Sequence, residues 1–175
     1  MEKNQTLTTQ RITRIALLAA ACAVLGYIAL DLGNLKVTFE SLPVLLAAFL
    51  FGPLDGMLVG GVGTLIYQLL RYGVSATTGL WILPYILCGL FTGLLARNTR
   101  DKKKILIIVI LMEFMTLFIN TGVIYIDSKI YGYYSAAYVF GSFALRVVIC
   151  AVKSFVFGCV LPVLMEALHR AQVRS

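Results

Sequence analysis

The chain has 175 residues, of which 60% are hydrophobic and 13% are charged, and its mean hydropathy is +0.91. Globular soluble domains carry about 45–50% apolar residues even with glycine counted. The composition therefore excludes an ordinary soluble domain and predicts an integral membrane protein. At about 20 residues per span, this length accommodates about six transmembrane helices with short loops.

The formal net charge of +7 follows a membrane topology rather than a nucleic-acid-binding surface. Basic residues cluster before the first predicted span, between the fourth and the fifth, and after the last. With an even number of helices these segments lie on one side, and the positive-inside rule makes that side the cytoplasm. We therefore expect an all-α bundle of six helices with both termini cytoplasmic and no nucleic-acid partner. The clusters contain Lys3, Arg11, Arg14, Arg97, Arg100, Lys102, Lys103, Lys104, Arg170 and Arg174.

Residue patterns typical of metal sites and of histidine-based catalysis are absent from the sequence. His169 is the only histidine and lies in the basic tail, and the four cysteines fall inside apolar segments without paired spacing. Such cysteines are most often small buried hydrophobic residues. We expect no metal, no cofactor and no catalytic residue.

The first predicted helix, residues 11–30, carries alanines at helical spacing. Small residues four positions apart let another helix approach closely. The strip predicts either packing within the bundle or a docking face for another membrane subunit, and both interpretations stand at this point. Its members are Ala16, Ala19, Ala20 and Ala23.

The second and third predicted helices, residues 39–52 and 55–71, meet at a tight turn. The segment before them, residues 31–41, is too polar to span and predicts an extended outer loop that acts as a gate. Helix 2 is apolar but short, which predicts a partial span. In helix 3, the spacing of Gly56 and Gly60 favours close helix packing. A phosphate-binding role is excluded because the lysine and the strand of a P-loop are missing.

The fourth predicted helix, residues 80–96, follows a second polar outer loop at residues 71–79. Arg71 lies on the outer side, where the positive-inside rule predicts few basic residues, so it is a candidate ligand contact. Trp81 and Tyr85 lie near the outer end of the helix. Aromatic residues at that depth form an interfacial belt or stack on a flat ring in a pocket. The sequence leaves both interpretations open.

The fifth and sixth predicted helices, residues 104–125 and 143–169, carry polar side chains that are costly in lipid. Charged residues at such depths usually face protein or a water-filled cavity. In each helix, two polar residues seven positions apart share one face. Because short connections make the helices antiparallel neighbours, a rise of about 1.5 Å per residue places these residues in two matched pairs. The pairs are Glu113 with Lys153 and Asn120 with Arg146.

The two pairs predict a polar pocket that opens to the outer side, under a long aromatic loop at residues 126–142. Arg146 and Lys153 suit the carboxylates of an anionic ligand. Glu113 and Asn120 suit the donor and acceptor edge of a heteroaromatic ring. The alternative interpretation is a structural ion pair between Glu113 and Lys153, with Arg146 reaching the lipid headgroups.

A family resemblance is carried by residues 37–56 (VTFESLPVLLAAFLFGPLDG), the alanine strip, the glycine-rich third helix and the pocket under outer loops. The whole chain resembles the substrate-binding S components of energy-coupling-factor (ECF) vitamin transporters and is most similar to their folate branch. The resemblance implies a bacterial cell-membrane protein that binds a vitamin from outside and associates with a transmembrane coupling subunit and two cytoplasmic ATPases. It also implies that Ala16/Ala20 and Ala19/Ala23 form the docking motif.

One segment departs from the folate branch. Residues 76–81 (ATTGLW) stand where that branch often has a Phe-Pro-Gly-Phe-like segment, so the alternatives are S components for pantothenate, pyridoxine, a queuosine precursor or cobalamin. A stand-alone secondary carrier with Glu113 as its proton site is a further alternative, but no internal repeat of helix triplets is visible. An intramembrane enzyme has less support because Gly-x-Ser-Gly and HExxH motifs are missing. No nucleotide-binding motif is present, so we expect ATP hydrolysis only in partner subunits.

Overall fold

The computed structural model describes residues 9–32, 35–96, 99 and 101–173. Within these residues the chain forms seven α-helices and one two-stranded antiparallel hairpin. The elements are α1 (Thr9–Tyr27), β1 (Leu30–Leu32), β2 (Leu35–Val37), α2 (Ser41–Phe51), α3 (Pro53–Tyr72), α4 (Thr78–Leu95), α5 (Lys102–Ile130), α6 (Ala136–Phe140) and α7 (Phe143–Val173).

The described helices have the lengths that a membrane protein requires. By length and composition, α1, α3, α4, α5 and the stretch Ala136–Leu168 can each cross a membrane, whereas α2 is a shorter apolar helix. The predicted helical membrane bundle is therefore confirmed, and α2 matches the predicted partial span.

A short two-stranded hairpin accompanies the helices of the bundle. β1 and β2 pair antiparallel, with Asp31 opposite Lys36 in the register. The sequence predicted an extended loop over residues 31–41. An extended chain has unpaired N–H and C=O groups, and pairing two such stretches satisfies these groups without a helix.

α5 is longer than the sequence predicted. The predicted fifth helix ended at residue 125, whereas α5 continues to Ile130. Asp127 and Lys129 resembled loop residues, but Asp127 is buried and hydrogen-bonded to other elements, which offsets its cost in a helix. The predicted loop of residues 126–142 thus consists of the end of α5, a turn and the short helix α6.

The core lies around α2, which is buried on nearly all sides. A helix that is apolar all round is typical of a position surrounded by protein. Its leucines pack with residues from α4, α5 and α7, and this cluster occupies the half of the bundle that contains the start of α5. The other half is left for a cavity. The cluster consists of Leu45, Leu46, Cys88, Ile105, Val109, Met112, Phe157 and Leu161.

Glycines on α3 let α4 approach closely, as the sequence predicted. A Cβ atom at Gly60 would collide with the backbone carbonyl of Tyr85. A Cβ atom at Gly56 would lie 2.7 Å from the Cβ of Ala48 and 2.8 Å from the carbonyl oxygen of Gly89. The contact at Gly60 therefore determines the position of Tyr85 on α4.

Candidate functional site

A cavity of about 540 Å³ lies in the half of the bundle that contains the end of α3, the start of α4 and the start of α7. The lining residues come from β2, the β2–α2 junction, the four helices α3, α4, α5 and α7, and the α3–α4 and α5–α7 connections. We call the part around Glu113 and Lys153 the inner end, and the part around Thr77, Trp81, Asp127 and Tyr133 the loop end. The lining consists of Val37, Thr38, Glu40, Tyr67, Gln68, Tyr72, Ser75, Thr77, Trp81, Tyr85, Glu113, Thr116, Leu117, Asn120, Ile124, Asp127, Tyr131, Tyr133, Tyr138, Arg146, Ile149, Cys150 and Lys153.

An ion pair between α5 and α7 forms the inner end. The Nζ atom of Lys153 lies 2.7 Å from Oε2 of Glu113, and the Glu113 side chain is 1% exposed. Lys153 also donates a hydrogen bond of 3.3 Å to the hydroxyl of Ser41 at the start of α2. The pairing predicted from helical rise and antiparallel packing is therefore confirmed.

A second carboxylate, Glu40, lines the cavity from the junction between β2 and α2. Its side chain is buried, and the hydroxyl of Thr38 donates a 2.9 Å hydrogen bond to Oε1. The same hydroxyl lies 3.5 Å from the hydroxyl of Tyr85. Sequence reasoning missed Glu40 because it assigned residues 31–41 to a loop at the surface.

Arg146 is the one lining cation that is not engaged with a carboxylate in the described part of the chain. It lies in the first turn of α7 and is partly buried. Asn120 also lines the cavity, but the two side chains share no hydrogen bond within the described residues. Since Lys153 is neutralised by Glu113, Arg146 is the lining residue best suited to hold an anion.

Asp127 joins three segments at the loop end. It accepts hydrogen bonds from the Thr77 hydroxyl at 2.5 Å, from the Trp81 indole nitrogen at 3.3 Å and from the Tyr133 hydroxyl. Desolvation, followed by the hydrogen bond to Asp127, raises the pKa of the Tyr133 phenol, so this hydroxyl keeps its proton and donates it. Asp127 thus fixes the start of α4 and the α5–α6 turn to the end of α5.

Two edge-on tyrosine pairs form in and around the α5–α6 turn. Tyr133 packs edge-on against Tyr138 at a centroid distance of 5.4 Å. On the other side of the turn, Tyr125 packs edge-on against Tyr134 at 5.5 Å, and the Lys129 ammonium lies 4.0 Å from the centre of the Tyr134 ring. Some of the aromatic residues that the sequence assigned to a loop above the pocket therefore line the cavity.

Six of the seven predicted binding residues line the cavity, and Arg71 does not. Its guanidinium donates a 3.3 Å hydrogen bond to the carbonyl oxygen of Tyr27, at the end of α1. Carbonyl groups in the last turn of a helix have no partner within the helix, so a nearby cation is a favourable donor. Arg71 therefore lies outside the cavity lining in this structure, and its predicted contact with a ligand stays a prediction. The six that line the cavity are Trp81, Tyr85, Glu113, Asn120, Arg146 and Lys153.

Several lining residues were missed because their signal is weak in the sequence. Tyr67, Gln68 and Tyr72 follow the apolar part of α3 and resemble ordinary residues at the end of a helix. Asp127 could have been found by extending the polar face of α5 beyond residue 125, since it lies about four turns from Glu113.

The alanine strip of α1 is divided between two environments. Ala19 is 1% exposed and Ala23 is 6% exposed, and a Cβ atom at Gly63 would lie 2.9 Å from the carbonyl oxygen of Ala19. Ala16 and Ala20 are exposed. Ala19 and Ala23 are therefore buried within the bundle, whereas Ala16 and Ala20 remain exposed, and docking through this strip stays a prediction.

A family model for the substrate-specific component of ECF transporters matches residues 10–171. The chain belongs to this family. It is thus a multi-pass membrane protein and the substrate-binding subunit of an ECF transporter, and members of this family associate with the other components of the transporter. The resemblance identified from the sequence is confirmed.

Solved structures of S components share the fold. A structure of FolT bound with folic acid has a TM-score of 0.71 at 19% identity, covering 91% of this chain and 94% of that one. The structure of the S component of a bacterial ECF transporter has a TM-score of 0.57 at 23% identity, covering 94% of this chain and 96% of that one. The structure of the S component for biotin from an ECF-type ABC transporter has a TM-score of 0.63 at 16% identity, covering 95% of each chain. No curated protein matches the chain in sequence.

Proposed function

We propose that this S component binds folate, or a vitamin that likewise joins a flat ring to a carboxylate, from the outer side of a bacterial cell membrane. The observation that carries this proposal is Arg146, a lining cation engaged with no carboxylate in the described chain, in the same cavity as Trp81 and several tyrosines. Arginine binds carboxylates through a planar pair of donors, and aromatic side chains stack on flat rings. The two features match the two parts of folate.

The size of the cavity supports a ligand of this kind. Sites for drug-sized ligands have volumes of about 300–1,000 Å³, and this cavity has about 540 Å³. A smaller anion such as pantothenate would use Arg146 and leave the rings of Trp81 and the tyrosines without a ligand to stack on. The structural likeness to FolT with folic acid agrees with the choice of folate, although at 19% identity it concerns the fold.

The orientation in the membrane follows from the charges. The basic segment at the start of α5 lies at the end of the bundle away from the cavity, and the positive-inside rule assigns such segments to the cytoplasm. The cavity then opens outward. Uptake would require a transmembrane coupling subunit and two cytoplasmic ATPases, because this chain has no nucleotide-binding motif.

The test of the substrate is direct binding. The detergent-solubilised protein is analysed by mass spectrometry for a co-purified vitamin, and folic acid and pantothenate are titrated by calorimetry. We expect folic acid to bind and to quench the fluorescence of Trp81, the only tryptophan in the chain. Tight binding of pantothenate without binding of folic acid would exclude the proposed substrate.

Arg146→Ala tests the residue that carries the proposal. Loss of a charge-assisted hydrogen bond weakens binding by about 10- to 100-fold, so we expect that loss for folic acid. Arg71→Ala is the matched control, because Arg71 is an arginine outside the cavity lining. The affinity of this variant for folic acid should remain unchanged. Equal effects of the two substitutions would remove Arg146 from the site.

For the coupling module, we propose docking through Ala16 and Ala20, the exposed members of the alanine strip. Ala20→Trp should block assembly with the coupling subunit and leave folic acid binding intact. Ala151→Trp, at an exposed alanine on α7, is the control and should assemble normally. Assembly of the Ala20→Trp variant would show that α1 is not the docking helix.

A further inference from the structure

An apolar groove runs along the lipid-facing side of α5, away from the cavity described above. It has a volume of about 620 Å³, and all of its lining side chains are apolar and belong to α5. Ile107, Leu111 and Phe118 in this lining are each more than half exposed. At one end of the groove, the ring centre of Phe118 lies 6.1 Å from that of Phe143 on α7. A hydrocarbon chain can lie in such a groove, although an apolar face alone does not identify its occupant.

The length of the groove matches one leaflet of a bilayer. Ile107 and Phe118 are 11 positions apart on one helix, which is about 17 Å. The hydrocarbon core of a bilayer is about 30 Å thick, so one leaflet contributes about 15 Å. A lipid whose acyl chain fills the groove therefore has its headgroup just beyond Ile107, at the start of α5.

Two exposed lysines, Lys103 and Lys104, lie at that end of the groove. They precede Ile107 by four and three positions, the spacings that place helical side chains on one face. Long side chains on a helix point toward its N-terminus, so both ammonium groups extend to the headgroup level. Lys102 precedes Ile107 by five positions and points about 140° away from it. We call Lys103 and Lys104 the lysine pair.

The lysine pair differs from the other cations at this end of the bundle in having no carboxylate bound to it among the described residues. Arg11 forms a 2.5 Å ion pair with Asp55, and Arg170 forms a 2.6 Å ion pair with Glu166. Asp101 precedes the lysines, but it caps α5 by accepting a 3.0 Å hydrogen bond from a backbone N–H group. The positive charge of the lysine pair is therefore available to an external anion.

We infer that this face of α5 binds one anionic phospholipid, with an acyl chain in the groove and the phosphate held by Lys103 and Lys104. Ammonium groups bind phosphate as point charges, and the groove supplies the apolar contact that a free phosphate would not use. The site is separate from the vitamin cavity and does not depend on which vitamin binds there. With the orientation proposed above, the lipid belongs to the inner leaflet.

Lipid binding to the full-length protein tests the selectivity for an anionic headgroup. Phosphatidylglycerol and phosphatidylcholine with identical acyl chains are titrated against the detergent-solubilised protein, and native mass spectrometry counts the bound lipids. A basic side chain near a membrane surface strengthens binding of anionic lipid about fivefold, so two should favour phosphatidylglycerol by at least about 10-fold. Equal affinities for the two lipids would overturn the inference.

Single substitutions of the lysines distinguish a site from general attraction to a basic segment. Lys103→Gln and Lys104→Gln should each weaken phosphatidylglycerol binding about fivefold and leave phosphatidylcholine binding unchanged. Lys102→Gln is the matched control, since it removes the same charge from the opposite face of α5, and its affinity for phosphatidylglycerol should stay the same. All three side chains are exposed, so folding should be unaffected. Equal losses in the three variants would show that no defined site exists.

A substitution in the groove tests the position of the acyl chain. Leu111→Trp fills the groove and should weaken the binding of both lipids, whereas Val152→Trp, at an exposed position on α7, should not. Unchanged lipid binding to Leu111→Trp would place the chain elsewhere and contradict the inference. If this variant keeps its lipid but no longer assembles with the coupling subunit, the groove is a protein-docking surface and the inference is wrong.

Competition by inorganic phosphate tests the source of the anion. Phosphate added at the same concentration as the lipid should not displace phosphatidylglycerol, because it makes no contact with the groove. Displacement at that concentration would show that the lysine pair binds a free anion and not a lipid.

Discussion

The two carboxylates of α5 that line the cavity have opposite hydrogen-bonding states. Asp127 accepts from Thr77, Trp81 and Tyr133, so both of its oxygens have partners. Glu113, about 21 Å away along the same helix, has one oxygen paired with Lys153 and the other without a partner in the described structure. Both are buried, so their difference does not come from exposure to solvent.

This difference separates a carboxylate whose oxygens are both hydrogen-bonded from one that still lacks a donor. A buried carboxylate with its full set of donors gains little from a ligand, and its role is to hold segments together. A buried carboxylate with an open oxygen still requires a donor. The loop end is therefore held together by its own hydrogen bonds, whereas the inner end keeps one carboxylate oxygen that no described residue satisfies.

The largest effect is expected when the ion pair of the inner end is broken. Lys153→Met leaves Glu113 as a buried charge without its partner, which typically costs about 3–5 kcal/mol of folding free energy. Thermal unfolding in detergent measures the loss. The double variant Glu113→Gln with Lys153→Met removes both charges and should recover most of the stability. A single variant as stable as the double would show that the pair is not tightly coupled.

At the loop end, Asp127→Ala removes the acceptor of three hydrogen bonds. Leaving buried donors unsatisfied costs about 1–3 kcal/mol, and we expect the loss to be local. Hydrogen exchange should become faster in the turn between α5 and α6 and at the start of α4, with little change in α2. Asp127→Asn keeps one acceptor oxygen, so its exchange rates in the turn should lie between those of the unmodified protein and those of Asp127→Ala. Unchanged exchange in the turn would contradict the structural role of Asp127.

The contact between α3 and α4 supports the inner end and is tested at Gly60. Gly60→Ala places a methyl group against the backbone of Tyr85, and overpacking of this kind costs about 1–3 kcal/mol. Displacement of Tyr85 should also weaken ligand binding. Gly122→Ala, at an exposed glycine of α5 with no neighbour within 4 Å, is the control. It should change stability by less than about 0.5 kcal/mol, and equal losses in both variants would refute the packing argument.

The smallest effect is expected from Tyr133→Phe, which removes one of the three donors to Asp127. The net value of such a bond is about 0.5–1.5 kcal/mol, and Thr77 and Trp81 remain in place. The unfolding temperature should fall slightly. Tyr134→Phe is the control, since a phenylalanine ring keeps the contacts with Tyr125 and Lys129. A larger loss for Tyr134→Phe would show that ring packing, and not Asp127, holds the turn.

Properties that depend on local sequence were predictable. Apolar composition predicts a membrane bundle, and glycines at four-residue spacing predict close helix packing of α3, although not which helix it contacts. The pair of Glu113 and Lys153 could also be predicted, because the rise per residue and the antiparallel arrangement determine the depth of each residue in two neighbouring helices. Depth does not depend on fine details of packing, so this estimate needed no structure.

Properties that depend on how elements approach one another required the tertiary structure. The contact of Asp127 with Thr77 joins residues 50 positions apart, and no local sequence pattern predicts it. The same holds for Glu40 in the cavity wall, for Arg71 at the end of α1, and for the rotation of α1 that buries Ala19 and exposes Ala20. The sequence determines which polar groups have to be satisfied in the membrane, because burying them is costly wherever they lie. Only the packing of distant helices decides which of them find partners within the chain and which remain open to a ligand.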